Sequence, residues 1–210
     1  MCEGDLPLDD LMRQAAEGDQ VACGRLLESH RSRLRRMVEL HMDRRLAARL
    51  DSSDVVQDAL ADAVQKLPGY LRDRPVALYP WLRQLAWERL IQLHRRHLYA
   101  QKRSVAREER WTHPLWEDSA QELAERLLSL GSSPSSRLRR EEVRARVLTA
   151  LGRLSASDRE VLVLRHLEQL TPGEIASVLE VSETVVYTRH LRALERMREF
   201  LGDAALEDMS

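Results

Sequence analysis

The stretch 170–198 contains two helix starts close together, and this arrangement constrains the fold more than any other feature of the sequence. Thr171 is followed by Pro172 and by Glu174, which is the pattern of a capping box with proline at the first helical position. Ser182 offers a second N-cap shortly afterwards. Apolar residues at helical spacing follow the two starts: Ile175, Ala176 and Leu179, then Val186, Ala193, Met197 and Phe200. The stretch therefore predicts a short helix, a tight turn and a longer helix.

The longer helix leaves polar and aromatic side chains on its outer side. They are Thr184, Tyr187, Thr188, Arg192 and Glu195. A helix pair with such a face is typical of a helix-turn-helix that enters the major groove of DNA. Two helices of an ordinary bundle, whose arginines only face solvent, produce a similar pattern. The pattern favours DNA binding and leaves this alternative open.

The composition is that of a helical protein without membrane segments. With 43% hydrophobic and 32% charged residues, the 210-residue chain predicts one large or two small domains. No apolar run reaches the roughly 20 residues that cross a bilayer, and the acidic N-terminus lacks the pattern of a secretory signal. We therefore expect a cytoplasmic protein that does not insert into membranes. Its formal net charge of −1 argues against DNA binding by the free protein and suits a component of a larger assembly.

The sequence contains no pattern of catalytic or metal-binding residues. Cys2 and Cys23 lie far apart, without a CxxC pair or a grouping with histidine, so two reduced thiols are expected. The sequence has neither a glycine-rich phosphate loop nor a nucleophile motif. We expect no catalytic residue, no metal site and no cofactor.

Helical spacing predicts four helices in the first half of the chain. Their expected extents are residues 6–18, Asp19 (the cap) to about Leu50, Asp51 (the cap) to Pro68, and Trp81 onward, with a loop over Tyr70–Pro80. The third helix carries a polar, acidic ridge opposite its apolar residues, formed by Asp54, Gln57, Asp58, Asp62 and Gln65. Such a ridge is usually only solvated, and the alternative is a docking surface for a basic partner.

The fourth helix combines aromatic residues with a basic strip. Trp81 begins its apolar side, and the other side carries Arg83, Arg89, His94, Arg95, Arg96 and His97. Aromatic residues beside cations suit single-stranded nucleic acid, because bases stack on the rings and phosphates follow the charges. A tryptophan on an apolar face is more often part of the core, so both interpretations stay open.

The second half of the chain begins after a connector. Residues 119–130 predict a modest helix, and residues 131–136 have the glycine, proline and serine composition of a flexible linker. A helix from about Arg139 to Leu154 follows. A capping box beginning at Ser157 then introduces the helix that leads into the stretch 170–198.

These features together resemble a sigma factor of the extracytoplasmic-function class, the smallest class of the bacterial sigma-70 family. Three parts carry the resemblance, in this order and at this separation: the third-helix motif Asp51-x-x-Asp54-Val55-Val56-Gln57-Asp58, the pair Trp81-Leu82 with Arg95-Arg96 further along, and the stretch Leu154–Arg192. Residues 8–103 resemble sigma region 2, and residues 139–200 resemble sigma region 4. The serine-rich linker and the ending RHLRALERMR are similar to those of planctomycete members.

The resemblance implies an all-α fold of two small helical domains: a region 2 bundle in 1–103 and a region 4 helix-turn-helix in 139–210, joined by a flexible linker in 104–138. It implies promoter-specific transcription initiation on core RNA polymerase, without enzymatic activity. Region 2 would bind the beta-prime clamp helices and hold the opened minus-ten strand of promoter DNA. Region 4 would read the minus-thirty-five element and touch the beta flap. An anti-sigma factor or a kinase is left open as a further partner.

The same resemblance assigns roles to individual residues. The implied polymerase-binding residues are Asp51, Asp54, Gln57 and Asp58. The implied DNA-binding residues are Trp81, Glu88, Arg95 and Arg96 in region 2, and Thr184, Tyr187, Thr188, Arg189 and Arg192 in region 4.

Two departures from the family pattern stand out. Glu88 occupies a position where many relatives carry asparagine, so base readout there is expected to differ. Glu180 stands in place of the usual turn glycine, which predicts an altered turn because positive φ strains a non-glycine residue.

Two other classes of protein are weighed against the sigma factor. A two-domain helix-turn-helix regulator would bind DNA independently of a sigma role, but the first hundred residues lack the strand-like alternation of a receiver domain. A helical adaptor that binds only protein would leave Arg192 and Arg196 without a function. The sigma factor is therefore the preferred interpretation.

Overall fold

The computed structural model describes residues 8–42, 44–98, 117–129 and 137–207. All regular secondary structure in these ranges is helical, and contacts divide the chain into two compact units, Met1–Val105 and Ala106–Ser210. This confirms the expected all-α fold of two small helical domains. Cys2 and the serine-rich segment 131–136 lie outside the described residues.

Unit 1 is a bundle in which the long helices α5 and α6 pack against each other and on α3. Its helices are α1 (Leu8–Ala16), α2 (Gln20–Glu28), α3 (Arg31–His41), α4 (Arg44–Ala47), α5 (Ser52–Asp73) and α6 (Leu78–Leu98). The predicted caps are confirmed, since Asp19 accepts from the backbone of Val21 at 2.8 Å and Asp51 from that of Ser53 at 2.7 Å. Large buried side chains fill the centre: Leu26, Leu34, Met37, Leu46, Leu67, Leu82 and Leu90.

The expected single helix from Asp19 to Leu50 is wrong, because the structure divides it into α2, α3 and α4. The hydroxyl of Ser29 donates to the carbonyl of Leu26 at 2.7 Å, which competes with helical continuation at the end of α2. Met42 then takes an extended conformation (ψ 123°) that ends α3. Apolar periodicity continues across these breaks because the successive helices bury their residues in one core.

The expected helix end at Pro68 is also wrong. Pro68 lies inside α5 on its exposed side, and the helix continues to bury Tyr70 and Leu71 before it ends at Asp73. Burial of these two side chains offsets the hydrogen bond that proline cannot donate. The Tyr70 hydroxyl donates to the carbonyl of Val76 at 2.9 Å, which closes the short connection to α6.

Helix α6 begins at Leu78, three residues before the predicted start at Trp81. Pro80 therefore falls in the first helical turn, where the missing backbone donor costs little because these N–H groups have no partner within the helix.

Unit 2 packs the predicted helix-turn-helix against the helical elements that precede it. Its helices are α7 (Glu117–Ser129), α8 (Arg137–Arg153), α9 (Ala156–Leu162), α10 (Pro172–Leu179) and α11 (Glu183–Glu207), with a π-helical turn at Val163–Leu167 after α9. Helix α11 packs on α8, α9 and α10, and α7 packs on α8 and on the π-helical turn. The core of the unit includes Leu123, Leu151, Leu162, Leu164, Leu167 and Ile175.

The cap of α9 differs from the expected one. Ser155, in an extended conformation, accepts from the backbone of Asp158 at 3.2 Å, while Ser157 already lies within the helix. The capping box expected at Ser157 is therefore wrong by two residues. The consequence is that Asp158 occupies the first turn of α9.

The turn between α10 and α11 keeps the left-handed geometry without glycine. Glu180 has φ 53° and ψ 43°, and the backbone of Val181 donates to the carbonyl of Ala176 at 3.0 Å. The expectation of an altered turn is wrong. The capping box of α10 is confirmed, with Thr171 and Glu174 exchanging hydrogen bonds of 2.8 and 3.2 Å.

We expect Glu180→Gly to stabilise unit 2 by about 1 kcal/mol, because glycine enters the left-handed region without the penalty of a side chain. The matched control is Glu195→Gly, in the exposed middle of α11, which should destabilise the unit by about 1 kcal/mol. Hydrogen exchange of the α10 and α11 amides under urea measures both changes. Equal destabilisation by the two substitutions would show that Glu180 is not strained.

Candidate functional site

The outer face of α11 is accessible, as the sequence predicts. Val186, Ala193 and Met197 are buried and turn the opposite side of the helix towards the core of unit 2. Four residues on the outer side are exposed: Thr184, Tyr187, Thr188 and Leu191. Arg189 is half-buried and carries neither a hydrogen bond nor an ion pair among the described residues. The face therefore has hydroxyl and apolar groups at its centre and arginine at its edge.

A buried carboxylate holds α11 on α9. Asp158 is completely shielded from solvent, and its oxygens accept from Arg192 Nε and Arg196 Nη1, each at 3.0 Å. The two arginine side chains remain 45% and 43% exposed. Sequence reasoning missed this contact, because Asp158 was considered only as a position inside the capping box that begins at Ser157. The available signal was the spacing of two arginines on one side of the predicted recognition helix.

The protonation of Asp158 follows from these contacts. Burial disfavours its charged form, but hydrogen bonds from Arg192 and Ser155 and the charges of Arg192 and Arg196 outweigh burial, so the pKa of Asp158 is lowered. The hydrogen bond to Asp158 in turn raises the pKa of Arg192. The position of Asp158 in the first turn of α9 also favours a negative charge, because the helix dipole is positive at that end. The ion pair is therefore intact at neutral pH.

A second contact joins α11 to the π-helical turn through two histidines. His166 Nε2 and His190 Nε2 lie 3.1 Å apart, with ring centroids separated by 5.3 Å. Burial lowers the pKa of His166 to about 4, with further lowering by His190, Arg165 and Arg126, and burial also lowers the pKa of His190. Both rings are therefore neutral at pH 7, where one Nε2–H donates to the other Nε2.

The polar ridge of α5 is exposed, but two of its residues have partners within unit 1. Asp58 accepts from Arg89 Nε of α6 at 3.1 Å, and Gln57 accepts from Arg31 of α3 at 2.9 Å. Asp51 caps α5, and its hydrogen bond from the Ser53 backbone lowers the pKa of Asp51.

Asp54 lies on the same exposed ridge and carries no ion pair in the part of unit 1 that the structure describes. Of the four predicted polymerase-binding residues, Asp54 is therefore the one most available to an outside partner.

The predicted DNA-binding residues of α6 lie along one helix. Trp81 is half-buried and stacks on Tyr70, with ring centroids 4.4 Å apart. Glu88 is exposed and accepts from Gln84 at 3.2 Å, and Arg95 and Arg96 are exposed further along. Trp81 is therefore neither fully buried in the core nor fully exposed, and its role stays a prediction.

The described residues contain neither a group of three or more metal-binding side chains nor a helix long and apolar enough to cross a membrane.

Comparison with known proteins bears on the second unit most directly. Residues 144–197, from α8 into α11, match the family described as Sigma-70, region 4. Over 205 residues the chain is 28% identical to a probable RNA polymerase sigma factor, RfaY, of Xanthomonas campestris pv. campestris; the match covers 94% of this chain and 44% of that protein. Over 70 residues it is 37% identical to the RNA polymerase sigma factor FliA of Escherichia coli K12, covering 33% of this chain and 29% of FliA.

A solved structure also resembles the whole chain. CnrH, solved in complex with the cytosolic domain of CnrY, aligns with a TM-score of 0.50 and 26% identity, covering 97% of this chain and 100% of CnrH.

Residues 144–197 thus match sigma region 4, and the chain is similar to a probable sigma factor over 94% of its length. The findings confirm the resemblance to a sigma factor of the extracytoplasmic-function class. The chain spans less than half the length of the curated sigma factors that it matches. The similarity to planctomycete members and the roles of individual residues stay predictions.

Within unit 2, we expect the variants Arg192→Ala and Arg189→Ala to differ in stability. Arg192→Ala deprives the buried Asp158 carboxylate of a hydrogen-bonding partner, and the melting temperature of unit 2 should fall by about 5 °C. Arg189→Ala removes a cation without a partner among the described residues and should change the melting temperature of unit 2 by less than about 2 °C. Differential scanning calorimetry of the full chain measures both. Equal melting temperatures would mean that the Asp158–Arg192 contact contributes nothing to unit 2.

We also expect the stability of this unit to fall as the pH is lowered from about 6.5 to about 4. The folded-state pKa of His166 lies near 4, below the ordinary value of about 6.5, so the unfolded chain binds a proton that the folded chain excludes. The loss from His166 should approach about 3 kcal/mol below pH 4.

The variant His166→Gln retains a hydrogen-bonding side chain but does not titrate, so it should lose less stability over this range. Urea unfolding at a series of pH values compares the two proteins. An identical pH dependence would show that His166 titrates normally in the folded state.

Proposed function

We propose that this chain is a promoter-specificity subunit that binds core RNA polymerase and directs it to particular promoters. The observation that carries the proposal is the match of residues 144–197 to sigma region 4, on a helix-turn-helix whose outer face is exposed. The chain would act by position, contributing contacts rather than chemistry. A regulator that binds DNA alone is less favoured, because the net charge is −1 and the similar proteins are sigma factors.

In the proposed complex, unit 2 reads the minus-thirty-five element with α11. Thr184, Tyr187 and Thr188 would face the bases from the exposed side of the helix, and Arg189 would lie at its edge. Arg192 would contact DNA while Asp158 holds its guanidinium, since nearly half of the side chain remains exposed. Residues 139–210 would thus be region 4, which would also touch the beta flap.

Unit 1 would bind the polymerase and the opened DNA strand. In this proposal the α5 ridge docks on the beta-prime clamp helices, with Asp54 as the available carboxylate and Asp51, Gln57 and Asp58 beside it. Trp81, Glu88, Arg95 and Arg96 on α6 would hold the melted minus-ten strand, because bases stack on aromatic rings and phosphates follow cations. Residues 1–103 would be region 2, and residues 104–138 the linker.

A regulatory partner is also proposed. CnrH was solved with the cytosolic domain of CnrY, and we infer by analogy that a protein of anti-sigma type binds this chain. Phosphorylation by a kinase, at the serine-rich segment 131–136, is the other mode of control that the sequence leaves open.

We expect Asp54→Arg to weaken binding to core polymerase by about tenfold, because it reverses a charge on the proposed docking ridge. Asp54 is a cleaner probe than Asp58, whose reversal would also break the contact with Arg89. The matched control is Asp73→Arg, at the exposed C-terminal end of the same helix, where a positive charge suits the helix dipole. The Asp73→Arg variant should bind core polymerase with the affinity of the wild type.

The measurement is fluorescence anisotropy of the labelled chain titrated with core polymerase, followed by transcription in vitro. If the wild type neither binds core polymerase nor supports initiation at any promoter, the proposed function is wrong. If it does both and the two variants bind equally, only the role of the α5 ridge is wrong.

A further inference from the structure

Exposed apolar side chains concentrate on α11. Among the large apolar residues that are exposed in the described parts of the chain, Tyr187 (59% exposed), Leu191 (57%) and Val185 (37%) lie on this helix. Leu191 has no hydrogen-bonding group, and burying it in a partner would favour binding. The proposed function gives Leu191 no role, since it assigns the base contacts to Thr184, Tyr187 and Thr188.

Leu191 belongs to a continuous strip with defined chemistry. Thr184, Tyr187, Thr188 and Leu191 follow the i, i+3, i+4, i+7 spacing that aligns side chains on one side of a helix. The Thr188 hydroxyl donates to the carbonyl of Thr184 at 2.8 Å, so its hydrogen is already used within the helix and only its oxygen can still accept. The strip therefore presents mainly apolar groups to a partner, together with the phenol of Tyr187 and the hydroxyl of Thr184.

A row of arginines runs beside this strip. Arg189, Arg192 and Arg196 lie at i, i+3 and i+7 on the neighbouring side of α11. Asp158 holds Arg192 and Arg196 in place while both stay nearly half exposed. An apolar strip bordered on one side by cations matches the major groove of duplex DNA, where base edges form the floor and phosphates form the wall.

Resting on the proposed function, we infer that this strip reads thymine through its methyl group, with Leu191 as a specificity-determining residue. Thymine is the base that presents a methyl group in the major groove, and apolar side chains are its complement. Leu191 and Tyr187 contact thymine C5-methyl groups, while the arginine row contacts the phosphates of the adjacent strand. The upstream promoter element read by this chain therefore contains thymine opposite α11.

The test uses holoenzyme assembled from the full chain and core polymerase. Duplexes that it retains from a random-sequence library define the upstream element, and each thymine of that element is then replaced by deoxyuridine, which lacks only the methyl group. With wild-type chain, at least one such replacement should weaken binding about three- to fourfold, the ratio expected for losing one buried methyl-sized group. With Leu191→Ala, the same replacement should change binding less than twofold.

The matched control is Val185→Ala, which also truncates an exposed apolar residue of α11 but lies outside the strip. It should retain the full effect of the replacement. We expect Leu191→Ala to fold normally, because the leucine side chain is exposed and alanine is the stronger helix former.

Three outcomes would overturn the inference. Deoxyuridine without effect at every thymine would mean that methyl groups are not read. An equal effect in Leu191→Ala and in the wild type would mean that another residue reads them. A loss of affinity of Leu191→Ala for core polymerase would mean that the strip contacts protein. Failure of the proposed function would look different, since no holoenzyme would form and no duplex would be retained, and the inference would then fall with it.

Discussion

The buried carboxylate of Asp158 is the interaction on which the proposed DNA-reading surface depends. A charge removed from solvent is stable only with partners, and Arg192 and Arg196 of α11 supply them. Because both arginines lie on one side of α11, binding them to α9 sets the rotation of that helix about its axis. The side next to the arginines buries Val186, Ala193 and Met197, and the side opposite the core leaves Thr184, Tyr187, Thr188 and Leu191 in solvent. The neutral pair His166 and His190 makes a second contact from the π-helical turn to the same helix.

Unit 1 uses its polar side chains differently. There the contacts between helices are made at the surface, since Asp58 binds Arg89 and Gln57 binds Arg31 while all four residues stay partly exposed. Surface pairs of this kind contribute little to stability and can exchange partners. A docking protein could therefore displace them at low cost, whereas the Asp158 contact in unit 2 would resist displacement. The two proposed interfaces thus rest on an adaptable ridge in one unit and on a rigid helix in the other.

Local signals in the sequence predicted much of the fold. The caps Asp19, Asp51 and Thr171 and the buried side of α11 are confirmed, because a cap or a helical repeat depends on residues a few positions apart. The break at Ser29 was missed because apolar spacing continues across it. The continuation of α5 beyond Pro68 was missed because burial of Tyr70 outweighs the effect of proline. Asp158 and Arg192 are separated by 34 positions, so their contact is a product of tertiary packing that periodicity does not show. The family resemblance is confirmed, while the assignment of Asp54 or Tyr187 to a partner rests on that resemblance and on exposure.

The central claim is that the outer face of α11 meets promoter DNA within the polymerase complex. It is tested most directly by the substitution Tyr187→p-benzoylphenylalanine, which places a photoreactive ketone on that face. The holoenzyme carrying this variant is bound to a radiolabelled promoter duplex and irradiated. We expect the chain to become crosslinked to a base of the upstream duplex, in the region protected by the holoenzyme. A crosslink to a polymerase subunit, without any DNA adduct, would contradict the claim.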